Sequence, residues 1–352
     1  MAFATFTRCF AAALLMALAG AGPLAAQQDT AIDLPTGAQP YAVPDRELMV
    51  PVEGGSVWVR INGEITPDGP APVIFIHGGP GGTHAGFAAM LTLAKTRAVI
   101  MYDQLGSGKS DRPDNPENWR VERFIEELEA VRKAVGAERW HVAGQSWGSA
   151  IALEYTAKYP RRVASTVLGG TYISSVHWLT DANLLVSELD QADRDVLAAC
   201  ESDDPPGVAA CSEVFRTIYS RFYDPPAAPA LAARYNAAYG GQGFNPLIYR
   251  SMWGPSEFSS TGVLRDYDAT LLLPRIEGSR TLFMIGQYDS ARIDTVQEFV
   301  ALAAGAELAV VPGGGHGFMG DRSRETLAIL DGWLARQDAK PVETNDETKD
   351  TP

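Results

Sequence analysis

The 352-residue sequence predicts an α/β fold: a mostly parallel central sheet flanked by helices, with an inserted helical cap. Three observations carry that prediction. Short apolar runs that end in polar or Gly-rich loops alternate with segments of helical period. A Gly-x-Ser-x-Gly motif lies where one such run passes into a helix. The stretch 176–265 breaks the alternation and reads as helices joined by loops, the composition of a cap over a pocket.

Taken in order, residues 1–26 read as a secretory signal: Arg8, then an apolar run from Cys9 to Ala19, then small residues at Ala19-Gly20-Ala21 and Ala25-Ala26. The run is short for a bilayer span, so a soluble, exported protein is expected, periplasmic or secreted. Residues 27–46 are extended. ELMVPV (47–52) and SVWVRI (56–61) form a hairpin through Glu53-Gly54-Gly55. PVIFIH (72–77) and RAVIMYD (97–103) are continuous apolar runs, as strands buried on both faces require. A helix follows over 119–136, ending at Gly136. WHVAGQ (140–145) is a strand leading into a helix, and RVASTVLGG (162–170) is another strand. Beyond the cap, strands at 280–289 and 306–316 alternate with helices at 292–304 and 323–336. The core is therefore expected in two parts, 27–175 and 266–337, with a polar, disordered tail at 338–352.

Composition excludes several functions. Hydrophobic residues are 46% and charged residues 20%, an ordinary globular balance. Lys+Arg 29 against Asp+Glu 43 leaves a net charge of −14, which repels nucleic acid and anionic membranes. Once the signal leaves with Cys9, Cys200 and Cys211 remain, either as a disulfide in an oxidising compartment or as two free thiols. No CxxC or HExxH spacing suggests a metal, and no cofactor is expected.

The chemistry is carried by Gly144-Gln145-Ser146-Trp147-Gly148 at a strand-to-helix junction, which presents Ser146 as a nucleophile above the sheet edge. A serine nucleophile needs a base and an orienting acid, in the chain order Ser, Asp/Glu, His on such folds. His316, in the loop after ELAVV, is the base, since the only other histidine after Ser146 is His177 at the cap border. Asp289, at the end of TLFMIGQY, is the acid, while nearby Asp294 falls inside a helix. The loop His77-Gly78-Gly79-Pro80-Gly81-Gly82 can offer the Gly79 amide to an oxyanion, with the Trp147 amide as second donor. A phosphate cradle there would need a following Lys-Ser/Thr, which is missing. Asp103-Gln104-Leu105-Gly106-Ser107-Gly108-Lys109-Ser110 reads as a loop bracing the site.

On HGGPGG (77–82), DQLGSGKSD (103–111), GQSWGS (144–149) and WGPSEF (253–258), with Asp289 and His316, the chain over 45–337 resembles the α/β-hydrolase fold and, within it, the proline iminopeptidase family. The resemblance implies a serine aminopeptidase that releases an N-terminal residue, preferably proline, through an acyl-enzyme. Its substrate would be a small peptide or amide with a free N-terminus. It also implies that Glu257 binds the α-amino group and that a second cap carboxylate assists. Glu213 is the candidate for that second group, with Glu201 competing. Gly78, Trp253 and Phe258 would contact substrate, alongside the aromatics Trp147 and Tyr249. An esterase, lactonase or amidase on the same machinery is the alternative, and Glu257 separates them because an ester or lactone has no ammonium to bind. The secretory signal and the Cys200 and Cys211 pair stand outside the family's pattern.

Overall fold

The computed structural model describes residues 43–202, 208–220 and 230–341, so the export segment expected at 1–26 lies outside the described residues. The hairpin is β1 (Arg46–Val52) and β2 (Gly55–Asn62), antiparallel in register from Arg46–Ile61 to Val52–Gly55. The remaining strands are β3 (Val73–Ile76), β4 (Val99–Tyr102), β5 (Trp140–Gln145), β6 (Val163–Gly169), β7 (Thr281–Gly286) and β8 (Glu307–Val311). They complete one sheet in the order β1-β2-β4-β3-β5-β6-β7-β8. β2 pairs β4 antiparallel, and every pair from β4 to β8 is parallel.

The apolar runs are explained by two buried faces. Along β3, Ile74 and Ile76 join one core cluster, and Val73 and Phe75 join the other. Residue alternation splits every central strand in this way, so both parities must be apolar. The first face packs on α1 (Val121–Val135), α2 (Trp147–Lys158) and α8 (Ile293–Leu302), through residues such as Leu128, Ile151 and Val296. The second packs on the last helix, α10 (Ser323–Asp338), through Leu330, Trp333 and Leu334. Gly136, in the left-handed conformation at φ 81°, ends α1 as the sequence predicts.

Between β6 and β7 come α3 (Ser175–Ser187), α4 (Gln191–Cys200), α5 (Val208–Ser220), α6 (Ala230–Tyr239) and α7 (Pro246–Met252). The two ends of this insert are stitched together: Ser175 N–H donates to Tyr267 O at 2.9 Å, and Ala269 N–H to Ile173 O at 2.9 Å. Cys200 and Cys211 form a disulfide that ties α4 to α5, which settles the pairing that spacing left open.

The tail begins later than expected. Asp338 is the last helical residue of α10, and its carboxylate accepts from Arg97 at 2.7 Å and contacts His141 Nε2 at 3.0 Å. Arg280 then holds the carbonyl of Pro341 at 2.7 Å. Three basic partners in the core thus order residues 338–341, which composition alone marked as disordered. Residues 342–352 lie outside the described residues.

Candidate active site

Parallel pairing sends the loops after β3, β5, β7 and β8 to one edge of the sheet. The loop after β5 is a sharp turn, in which Ser146 has φ 55° and ψ −127°. It is the only non-glycine with positive φ among the described residues. Such a conformation is costly and is held by its surroundings. The flanking glycines are required by close approach. A Cβ on Gly144 would lie 2.0 Å from the Gly148 carbonyl oxygen, and one on Gly148 would lie 2.1 Å from that of Ile76. Ser146 N–H is anchored on Gly169 O at 2.9 Å. Trp147 is the first residue of α2, so its N–H has no acceptor within the helix and stands at the positive end of the helix dipole.

The loop after β3 runs against this turn. An added Cβ on Gly78 would meet Ser146 Cβ at 2.8 Å, so only glycine lets the chain pass so close to the serine. Gly79 follows with φ 115°. Both glycines line the cavity that holds Ser146. Beneath them His77 is buried, and burial pushes its pKa down to about 4. The neutral ring accepts the Gln104 N–H at Nε2 (3.0 Å), which leaves the proton on Nδ1 for Gly78 O (2.9 Å).

Asp289, in the turn after β7, is buried and accepts from His316 Nδ1 at 2.8 Å and from Ala291 N–H at 3.1 Å. Asp294, its rival in the sequence, is exposed near Arg292. His316 is one-third exposed and lines the same cavity as Ser146. Burial favours its neutral form, but the charges of Asp289 and Glu257 outweigh this and raise its pKa above the usual histidine value. Two further groups hold this histidine. Gln145 donates to the His316 carbonyl, and the Trp178 ring meets the imidazole edge-on, with centroids 5.3 Å apart.

The cap closes over a cavity of about 910 Å³. Glu257 lines it, accepting the Tyr249 hydroxyl at 2.6 Å, and burial pushes its pKa up. The Trp178 indole fixes the Glu257 carbonyl at 3.3 Å. Trp253 does not line this cavity; it walls a separate space of about 10 Å³ that shares Gly79, Ser146, Tyr249 and Glu257 with it, and stands edge-on to Tyr172 at 5.5 Å.

Two expected residues lie elsewhere. Glu213 is exposed on α5 and forms a one-turn pair with Arg216, so it does not reach the cavity. Glu201 does not line the cavity either, but it stands next to a residue that does. It follows Cys200 at the end of α4, is half-buried, and accepts the hydroxyl of Ser256, next in chain to Glu257. Burial raises its pKa. Phe258 turns into the cap core, packing on Phe215 with centroids 6.2 Å apart, and does not line the cavity. Gln145 could have been noticed as a polar side chain at the end of a buried strand. Trp178 carried no signal, since an aromatic on a cap helix is ordinarily core. Among the described residues, no group of three or more His, Cys, Asp or Glu could hold a metal ion. No helix among them is long and apolar enough to cross a membrane.

Comparison with known proteins agrees with this geometry. The α/β hydrolase fold family matches residues 71–323. A proline iminopeptidase of Heyndrickxia coagulans is 32% identical over 269 residues, covering 76% of this chain and 91% of the relative. One from Levilactobacillus brevis is 29% identical over 83% of this chain and 97% of its own length. The crystal structure of the Mycobacterium smegmatis proline iminopeptidase superposes with a TM-score of 0.70 at 28% identity, covering 83% of this chain and 99% of that one. The chain belongs to the α/β-hydrolase fold and, within it, to the proline iminopeptidase family.

Proposed function

We propose that this serine aminopeptidase releases an N-terminal residue, preferably proline, from small peptides or amides with a free amine. The observation that carries the reading is Glu257, a carboxylate in the same cavity as Ser146 and His316. A mostly buried carboxylate that lines the cavity of a nucleophile has a clear use when the substrate brings an ammonium to neutralise it.

In this reading Ser146 Oγ attacks the carbonyl carbon while His316 Nε2 takes its proton. Asp289 keeps Nδ1–H in place and stabilises the imidazolium. The oxyanion is met by the N–H groups of Gly79 and Trp147. His316 then protonates the departing amine, and the C–N bond breaks to leave an ester on Ser146. Water, deprotonated by the same imidazole, hydrolyses that ester and frees the residue and the serine. Glu257 holds the ammonium, Glu201 supports that loop through Ser256, and Tyr249 in the cavity wall flanks the ring.

Export is part of the proposal. The N-terminal run supports it, as does the Cys200–Cys211 disulfide, which suits an oxidising compartment. The test of activity is hydrolysis of proline p-nitroanilide beside its N-acetyl form and a simple ester, with Ser146→Ala as control. Turnover of the free amine alone, abolished in Ser146→Ala, is the expected result. Turnover of the ester or the blocked anilide, with the free amine ignored, would move the assignment to an esterase, lactonase or amidase.

A further inference from the structure

We propose that Gln104 is a positioning residue that holds both oxyanion donors, the N–H groups of Gly79 and Trp147, toward one point; the inference rests on the acyl-transfer reading above. The two donors stand on separate elements, the loop after β3 and the start of α2. Nothing in either element alone fixes their mutual distance. Gln104 follows β4, the neighbour of β3, and is buried between them.

Each polar end of Gln104 is committed to one donor element. Its Nε2 donates to His77 O at 2.7 Å, and its backbone N–H donates to His77 Nε2 at 3.0 Å. Its Oε1 accepts the indole N–H of Trp147 at 3.0 Å. His77 passes the constraint forward. Its Nδ1–H holds the Gly78 carbonyl, which also accepts Gly82 N–H at 3.2 Å. The Gly78–Gly79 peptide is planar and trans, so clamping that oxygen aims the Gly79 N–H the opposite way. On the other side the Trp147 ring is held edge-on to Phe124 at 5.6 Å, and Gln104 fixes its rotation in that slot. The backbone amide of the same residue is the second donor. One buried amide therefore sets both halves of the hole. A misplacement of either donor weakens binding of the tetrahedral oxyanion more than binding of the flat ground-state carbonyl.

A residue that only braces the fold would lower stability and weaken every ligand alike, so the decisive readout is a split between transition state and ground state. Three variants are compared on proline p-nitroanilide: Gln104→Met, which keeps the shape and loses the amide, Gln104→Glu, which keeps an acceptor for Trp147 and loses the donor to His77, and Trp147→Phe, which deletes one bond. Affinity for the boronic-acid analogue of proline reports the tetrahedral adduct, and inhibition by free proline reports the ground state. In Gln104→Met, kcat should fall about 10- to 100-fold, with KM and proline inhibition within about threefold, and boronate affinity should fall by the same factor as kcat. Trp147→Phe should show a smaller loss of the same kind. Unchanged kcat in folded Gln104→Met, or equal losses of boronate and proline affinity, would overturn the proposal. If Gln104→Met fails to fold, the other two variants decide by the same criterion. If the wild type cleaves an ester and not the anilide, the peptidase reading fails on its own, and the same split measured on the ester still decides the role of Gln104.

Discussion

Replacing Glu257 by Gln isolates the charge that defines an aminopeptidase. Gln keeps the length of the side chain and an oxygen to accept the Tyr249 hydroxyl, now at 2.6 Å, so the cap should keep its shape. What disappears is the attraction for an ammonium. Leaving one member of a buried charge pair unmatched costs about 2–5 kcal/mol, and because Glu257 is mostly buried but keeps some solvent contact through the cavity, the lower part of that range, about 2–3 kcal/mol, is used. At 1.36 kcal/mol per factor of ten, kcat/KM for proline p-nitroanilide should fall about 30- to 150-fold. The N-acetyl anilide and a simple ester carry no ammonium, so any turnover of them should change less than about threefold. Glu201→Gln should give a smaller loss in the same direction, since Glu201 acts from behind Ser256. Glu213→Gln should give none, because its exposed pair with Arg216 lies outside the cavity. Equal losses on free and blocked substrates would show that Glu257 only supports the cap. A loss under threefold on the free amine would refute ammonium recognition by this residue.

Two further outcomes follow from packing. Gly148→Ala places a Cβ 2.1 Å from the Ile76 carbonyl, so the turn must move away from β3, and kcat should drop about 100-fold with a lowered melting temperature. Wild-type activity in that variant would contradict the close approach. Removing the disulfide with Cys200→Ser and Cys211→Ser opens a loop closed across 11 residues, which corresponds to about 3 kcal/mol. Both cysteines line the cavity, so reduction should raise KM more than it lowers kcat, as melts and kinetics with and without reductant would show.

The sheet edge that gathers Ser146, Asp289 and His316 was legible in the sequence because it is written in contiguous residues. Strands buried on two faces are apolar at both parities, with few exceptions such as His141 and Ser165, and the chain order of Ser146, Asp289 and His316 follows the order of the strands that carry them. Backbone crowding leaves glycine at 78, 144 and 148 no substitute, and that too is visible. The cap is different. Glu213 within α5 and Glu201 at the C-terminal end of α4 are both acids in helical cap sequence, and only the contact of Glu201 with Ser256 separates them. Phe258 belongs to the WGPSEF run, yet alternation along that run turns it into the core while Glu257 faces the cavity. Trp178 touches both His316 and Glu257 from far away in the sequence, a contact that no local pattern encodes. The misplaced start of the tail has the same origin: Asp338 looks like solvated surface until Arg97 and His141, both distant in the chain, are brought beside it.

The charge of Glu257 acts on His316, so the amine recognition proposed for Glu257 would have an electrostatic consequence for catalysis. In the free enzyme, burial lowers the pKa of His316, but the charges of Asp289 and Glu257 win and raise it. As the proposed base, His316 acts only when neutral, so activity should be lost as pH falls through a value above the ordinary histidine pKa of about 6.5. A bound ammonium neutralises Glu257 and removes its share of that pull, while Asp289 keeps its own. The pKa of His316 should therefore be lower in the substrate complex than in the free enzyme. Because kcat/KM reports the free enzyme and kcat the complex, the acid limb of kcat should lie at lower pH than that of kcat/KM. In Glu257→Gln the kcat/KM limb should move down and the separation should vanish. Coincident limbs in the wild type, or a kcat/KM limb unmoved by Glu257→Gln, would mean that the cap carboxylate binds substrate without tuning the base. A separation that closes in the variant would mean that the ammonium which identifies the substrate also adjusts the group that attacks it.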